Sequence, residues 1–361
     1  MVVLAVAAFA VIGWYLLPLA AYEGDLTRTG KLPESVFGWT HAQPALAPDL
    51  FKSASWQDAD VLVIGDSFSA GRVWQTQLTG HGLRVHTETW NTLHAICKDF
   101  PAWLHTTGFK GRYIVIEVIE RNALSTIGGS VACEQMLTTP ADVGFEFYGP
   151  PGTHVDRGQR DLSGRLSVGI ATWWNARKFA RMSAPASFKS WRVNDLTTVA
   201  RVPGGCDLFS HADCRDVLFY GGDQPTDLGA EMFNSMAAID ARLVGYTPIW
   251  VIVPDKSTTY LHPDRQFWTQ AATRFNAPDI LKDFRQAVRD KVIDLYPANN
   301  THVSTTGYLR LGALVWAQIR SLEQVKKPFS MARRHSTTVI GILLNSSATT
   351  MSSISTSTER A

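Results

Sequence analysis

Net charge is nearly absent from this chain. In 361 residues, 34 basic side chains stand against 32 acidic ones, a formal +2 at pH 7. No global field therefore draws it to nucleic acid or to an anionic surface. Cysteine is sparse as well. Cys97, Cys133, Cys206 and Cys214 are the four, none in a C-x-x-C, and His211 between the last two lacks further ligands at zinc-site spacing. No metal and no cofactor is expected. In an oxidising compartment Cys206 can close a short loop with Cys214 and Cys97 can pair with Cys133; four free buried thiols are the alternative. No internal repeat is visible, which argues against solenoids and propellers.

What is present is apolar. At 45% hydrophobic residues the chain can bury a real core, as one large or two modest domains. Residues 2–22 read VVLAVAAFAVIGWYLLPLAAY without a charge, close to the ~20 residues a helix needs to cross hydrocarbon. A cleaved signal peptide competes with this reading, but it wants a basic n-region and an A-x-A-like site. An uncleaved transmembrane anchor over residues 1–22 is the expectation. Arg28 and Lys31 follow the run and no Lys or Arg precedes it, which runs against the positive-inside trend. Residues 23–56, with Pro33, Pro44 and Pro48 and little periodicity, read as a tether.

The globular domain is expected over residues 57–325. DVLVIG at 60–65 is a short apolar run ended by glycine, the pattern of a strand buried on both faces of a parallel sheet. YIVIEVI at 113–119 and TPIWVIV at 247–253 repeat it, and KVIDL at 291–295 is a possible fourth. Leu228, Met232, Met236, Ile239 and Leu243, after a possible cap at Asp227, share one helical face; so do Tyr308, Leu311, Val315, Ile319 and Leu322. These stripes read as core. Residues 125–220, rich in Gly, Pro and aromatics, read as an insertion on the rim of the sheet. In the tail, 13 of the 23 residues from 336 to 358 are Ser or Thr, so residues 326–361 are expected to be disordered. The fold class is α/β, a three-layer α/β/α sandwich around a mainly parallel sheet.

At the end of the first strand the sequence reads Gly65, Asp66, Ser67. In open parallel sheets ligands sit outside the carboxyl ends of the strands, where a serine can lie on a strand-to-helix turn with its hydroxyl exposed. Backbone N–H groups at the following helix start can stabilise an oxyanion. A serine hydroxyl needs a base to take its proton. Among ten histidines, His302 alone sits on a loop beyond the final expected strand and directly before the last helix. Its plain alternative is a solvated surface residue.

Gly65-Asp66-Ser67 and His302 together resemble the SGNH-hydrolase superfamily, in which G-D-S opens the domain and a histidine closes it. The segment IEVIER at 116–121 is similar to the strand ending in E-R of its alginate O-acetyltransferase-like branch, and PDKSTTY at 254–260 to the P-x-K-x-x-x-Y segment of that branch. The resemblance spans about residues 57–322. It implies Ser67, His302, Asn300 and Asp66 as the catalytic group, with Arg121, Lys256, Tyr260 and Asn91 toward substrate or oxyanion. Arg121 and Lys256 would supply fixed positive charge near the serine and Tyr260 a hydroxyl donor; a structural ion pair of Arg121 with Glu117 or Glu120 is the alternative. The aspartate usual just before the histidine is replaced by Asn299 and Asn300, which can orient an imidazole but not stabilise imidazolium by charge. Asp294 is a possible substitute, and Gly82 and Asn122 join Asn91 as oxyanion candidates.

The activity implied is O-acetyl transfer to an exported bacterial polysaccharide through an acetyl-serine. A membrane-bound O-acyltransferase is the implied donor partner, and the implied location is the periplasm, held to the inner membrane by the N-terminal helix. A carbohydrate acetyl esterase uses the same Ser and His with water as acceptor. A catalytically silent polysaccharide-binding or assembly subunit is the reading from another class.

Overall fold

A computed structural model describes residues 1–16, 22–139, 151–153, 166–223, 228–262 and 264–325. The tail expected from 326 onward and the cap expected at Asp227 lie outside these residues. Met1–Ser321 form one compact unit.

The strands, in chain order, are β1 Val61–Gly65, β2 Val85–Thr89, β3 Tyr113–Ile119, β4 Ser190–Asn194, β5 Thr197–Arg201, β6 Asp216–Tyr220 and β7 Thr247–Val253. Four of them make a parallel sheet in the order β2-β1-β3-β7. Every residue of β1 and β3 is buried, so both faces are covered, as a continuous Val/Ile run requires. The architecture is α/β. β1, β3 and β7 match their expected positions. β2 does not announce itself, because VHTET is mostly polar.

The expected strand at 291–295 is instead a turn. The chain leaves the helix Ile280–Arg289 with Val292 N–H donating to Ala287 O (2.9 Å), and Lys291 and Asp294 take positive φ of 57° and 53°. An extended ladder cannot continue through such residues. Both apolar stripes do lie on helices, Gly229–Arg242 and Thr305–Val325.

The rim insertion contains a second sheet, antiparallel in the order β4-β5-β6. The supposed tether belongs to the folded unit. Residues 23–56 carry the helices Asp25–Gly30 and Glu34–Phe37. Leu26, Leu32 and Phe37 are fully buried with Phe179, Trp191, Val199 and Leu218 in a core beneath the second sheet. The apolar N-terminus forms the helix Val2–Leu16. Among the described residues no helix is long and apolar enough to cross a membrane; residues 17–21 of the expected anchor lie outside them. Both cysteine pairs are disulfides, Cys97–Cys133 and Cys206–Cys214.

Candidate active site

β1 delivers the serine. Gly65 ends the strand at a point where a Cβ would collide with Ser69 Oγ and Glu117 Oε2, so only glycine permits the close approach. Asp66 then caps the short helix Ser67–Ala70, its Oδ1 accepting from Phe68 N–H at 2.9 Å. Its Oδ2 accepts from Ile119 N–H at 2.7 Å. Asp66 thus ties the exits of β1 and β3 together and acts through position. Ser69 and Ala70 N–H both turn back to Asp66 O at 3.0 Å. Of the first-turn donors proposed for an oxyanion, Ser67 N–H is therefore the one not committed to Asp66.

Beneath this turn lies Glu117, fully buried, which accepts from Asp66 N–H at 3.0 Å and Ser69 Oγ at 2.7 Å. Burial, reinforced by the negative charge of Asp66, pushes its carboxyl well above the ordinary range. A neutral Glu117 is what a dry floor favours.

The histidine arrives from the other end of the chain. His302 Nε2 lies 2.8 Å from Ser67 Oγ, and its ring tilts against Phe68 with centroids 4.8 Å apart. On the opposite side Nδ1 meets Asn300 Oδ1 at 3.2 Å, and the same oxygen accepts from His302 N–H at 2.9 Å. Asn300 is therefore the orienting residue of the asparagine pair. With Nδ1–H donating to Asn300, Nε2 is left to accept the serine proton.

Behind the imidazole stands a carboxylate that local spacing does not reveal. Asp25 Oδ2 lies 3.8 Å from His302 Nδ1. Asp25 also accepts from Thr301 N–H at 3.0 Å and from Thr301 Oγ. Burial lowers the His302 pKa below its ordinary value; Asp25 opposes this, Arg121 adds to it, and Asp66 opposes it. Asp25 thus places a carboxylate on the side of the imidazole where the histidine motif itself has only asparagines. Its only sequence signal is an acidic first turn on a short helix, which is common.

The loop bearing His302 is clamped from several sides. Leu218 N–H in β6 donates to Ala298 O at 3.1 Å and Leu26 N–H to Asn299 O at 3.1 Å. Lys256 Nζ donates to Pro297 O, Ala298 O and Asn300 O at 2.6, 3.0 and 3.3 Å. Burial pushes the Lys256 ammonium down to about 7, against the pull of Asp25, Asp223 and Asp294. Asn299 Nδ2 donates to Glu34 Oε2 at 2.8 Å. Glu34 Oε1 accepts from Glu23 and Gly24 N–H, each at 2.8 Å, and from Thr27 Oγ.

Several expected site residues take other roles. Lys256 is buried and spent on carbonyls, and Tyr260 is buried with its hydroxyl accepting from Tyr296 N–H at 3.3 Å. Both are enclosed among protein atoms. Arg121 reaches Asp255 at 2.7 Å and Asp223 at 3.2 Å, so its ion pair is with these residues rather than with Glu117 or Glu120. Burial and the repulsion of Asp223 raise the Asp255 carboxyl to about 9. Asp294 is bound to Ser210 N–H and Oγ and does not substitute for the missing aspartate. Gly82 sits in the turn before β2, at the amino end of the sheet and away from Ser67. Asn91 is exposed on the helix Trp90–Leu93 after β2. Among the described residues neither it nor Asn122 hydrogen-bonds to Ser67 or His302. Asn122 does line a hollow of about 230 Å³ with Asp25, Thr29, Arg121, Tyr220 and Thr301.

No family model, curated protein or solved structure matches this chain.

Proposed function

We propose that this chain is an SGNH-type O-acetyltransferase that carries an acetyl group on Ser67 and passes it to hydroxyls of an exported polysaccharide. The observation that carries the reading is the 2.8 Å contact between Ser67 Oγ and His302 Nε2 at the carboxyl end of β1. That distance lies within the ~2.6–3.2 Å expected of a nucleophile and its base.

In the first half-reaction Ser67 Oγ attacks the acetyl carbonyl of the donor while its proton moves to His302 Nε2. The Ser67 N–H faces the oxygen that becomes negative. As the tetrahedral adduct collapses, the proton on Nε2 goes to the departing group and the acetyl ester of Ser67 remains. In the second half a sugar hydroxyl gives its proton to Nε2 and attacks the ester, and as the bond from Ser67 Oγ to the acetyl carbon breaks that proton passes to Oγ, releasing the acetylated sugar and restoring Ser67. Asn300 holds the tautomer that this needs, and Asp25 supplies negative charge behind the imidazolium. The donor side is assigned to a membrane-bound O-acyltransferase.

Two features support a bulky hydroxyl acceptor. Ser67 is exposed at the surface, where a large acceptor can reach it, and a hollow lined by Asp25, Arg121 and Thr301, which neighbours His302 in sequence, is of a size that suits a single sugar ring.

The test is acetyl capture. An activated acetyl ester should add one acetyl group at Ser67, read by peptide mass, and Ser67→Ala should lose it with the fold intact. Turnover should fall by about three orders of magnitude or more. Oligosaccharide should then speed decay of the acetyl-enzyme and emerge acetylated. Should sugars of several classes fail to accept the group while water succeeds, the protein is an esterase. Labelling that persists in Ser67→Ala removes both enzymatic readings and leaves the polysaccharide-binding subunit.

A further inference from the structure

We propose that the outer face of the helix Leu166–Ser183 is a docking surface for an anionic membrane, distinct from the Ser67 chemistry and independent of it. Ile170, Trp173, Trp174, Arg177, Lys178 and Arg181 follow one another at three-, four-, seven-, eight- and eleven-residue offsets, one stripe of a helix. All six are exposed, with Ile170 at 44%, Trp173 at 37% and Trp174 at 63%. The opposite face is firmly packed. Thr172 and Phe179 are buried, Phe179 lies against Phe37 at 5.0 Å, and Asn175 Nδ2 donates to Gly30 O at 3.0 Å. The exposed indoles are therefore presented by a fixed helix.

What covers them is indicated by their neighbour. The helix Val2–Leu16 carries no charge, packs against Leu166–Ser183, and exposes Val2, Leu4, Val6 and Phe9 by 63–77%. Tyr22, a few residues beyond that helix, is hydrogen-bonded through its hydroxyl to Thr172. An apolar helix that needs a non-aqueous medium and a Trp-and-cation stripe thus lie side by side. A bilayer satisfies both, because tryptophan prefers the headgroup level and Lys or Arg the anionic phosphates. The Arg177 guanidinium lies over the Trp173 ring at 4.2 Å. A hollow of about 360 Å³ between the indoles and the three cations has the lining that a headgroup phosphate calls for. A soluble acidic glycan would match the cations and indoles but gives no use to Ile170 or to the adjoining apolar helix.

The experiment uses the full chain with Ile170→Cys carrying a polarity-sensitive fluorophore, inserted into phosphatidylcholine vesicles with or without phosphatidylglycerol. A label at Lys282→Cys, on the helix Ile280–Arg289, is the control. Unchanged thermal melts confirm that the labelled chains fold. With phosphatidylglycerol the label at 170 should shift to the blue and be quenched by headgroup-level spin-labelled lipid, while the label at 282 should not respond. Replacing Arg177, Lys178 and Arg181 by Gln should reduce that quenching by roughly twofold or more, since each cation near an anionic surface contributes on the order of fivefold in binding. A label at 170 that stays open to aqueous iodide in the inserted protein overturns the proposal. So does a label that responds to a soluble acidic oligosaccharide and not to lipid.

Discussion

β1 and β3 bury every residue along their lengths, whereas β4 exposes every second residue and buries only Trp191. The two sheets treat the candidate site just as differently. The parallel sheet sets the serine through covalently adjacent residues, Gly65 and Asp66. The antiparallel sheet and residues 22–40 set the histidine through contacts between segments distant in sequence: Leu218 to Ala298, Leu26 to Asn299, Glu34 to Asn299 and Asp25 to Thr301. A serine built on a buried strand end is a local device. The histidine, held by a loop among three distant segments, is placed by tertiary contacts, and it should be the softer half of the pair.

The largest effect on the histidine side is expected at Asp25. Asp25→Asn keeps the shape and one acceptor for Thr301 but removes the charge behind the imidazole. Turnover should fall about 10- to 100-fold, less than the ~10⁴ seen where the acid bonds directly to the base. The pH profile supplies the sign. His302 acts as base only when neutral, and burial has already lowered its pKa below 6.5, so the acidic limb of activity lies below that value. Asp25 raises the His302 pKa, so removing its charge should move the limb further toward acid. Asn300→Asp in the Asp25→Asn background should recover part of the loss by restoring a carboxylate at the same ring nitrogen. A limb that stays put would mean that Asp25 only anchors Thr301.

A smaller, mainly structural effect is expected at Glu34. Glu34→Ala strips the acceptor from Glu23 N–H, Gly24 N–H, Thr27 Oγ and Asn299 Nδ2. Losing these hydrogen bonds costs about 2–4 kcal/mol. Denaturant melts should register that loss, and turnover at temperatures below the melt should fall severalfold as the loop bearing His302 loosens. An equal loss of stability with unchanged turnover would show that the parallel sheet alone suffices to hold the site.

What could be read from sequence follows the same division. Strands buried on both faces must be continuously apolar, so β1, β3 and β7 are legible, and Ser67 is legible because it follows β1 directly. His302 is legible from its place before the last helix. β2 escapes because its buried Thr87, Glu88 and Thr89 are polar. β4 to β6 escape because their core is completed by Leu26, Leu32 and Phe37 from far up the chain. Asp25 escapes for the plainest reason: 276 residues separate it from Thr301, and no periodicity spans such a gap. At 291–295 the apolar letters suit a strand, but two positive-φ residues turn them into a connection.

The smallest effect separates residue type from residue role. Tyr260 follows β7 in a segment whose resemblance casts it as a hydroxyl donor to substrate, yet its ring is 9% exposed and packs against Phe209 at 4.9 Å and Tyr296 at 6.4 Å. Its hydroxyl accepts from Tyr296 N–H at 3.3 Å, while the Tyr296 hydroxyl donates onward to Pro254 O at 2.6 Å. Burial raises the Tyr260 pKa, so the phenol stays neutral and serves this chain as an acceptor. Tyr260→Phe keeps the ring and leaves one backbone N–H short of a partner, which costs about 1 kcal/mol. Melts should show that modest loss, and both acetyl labelling of Ser67 and decay of the labelled enzyme should match the parent within a factor of about two. A fall in the rate of transfer to sugar, with labelling unchanged, would instead place the Tyr260 hydroxyl on the acceptor. The histidine side would then have to open during turnover far enough to expose a residue that the resting fold keeps inside, because Tyr296, the partner of Tyr260, lies in the same chain segment as the clamped carbonyls of Pro297 and Ala298.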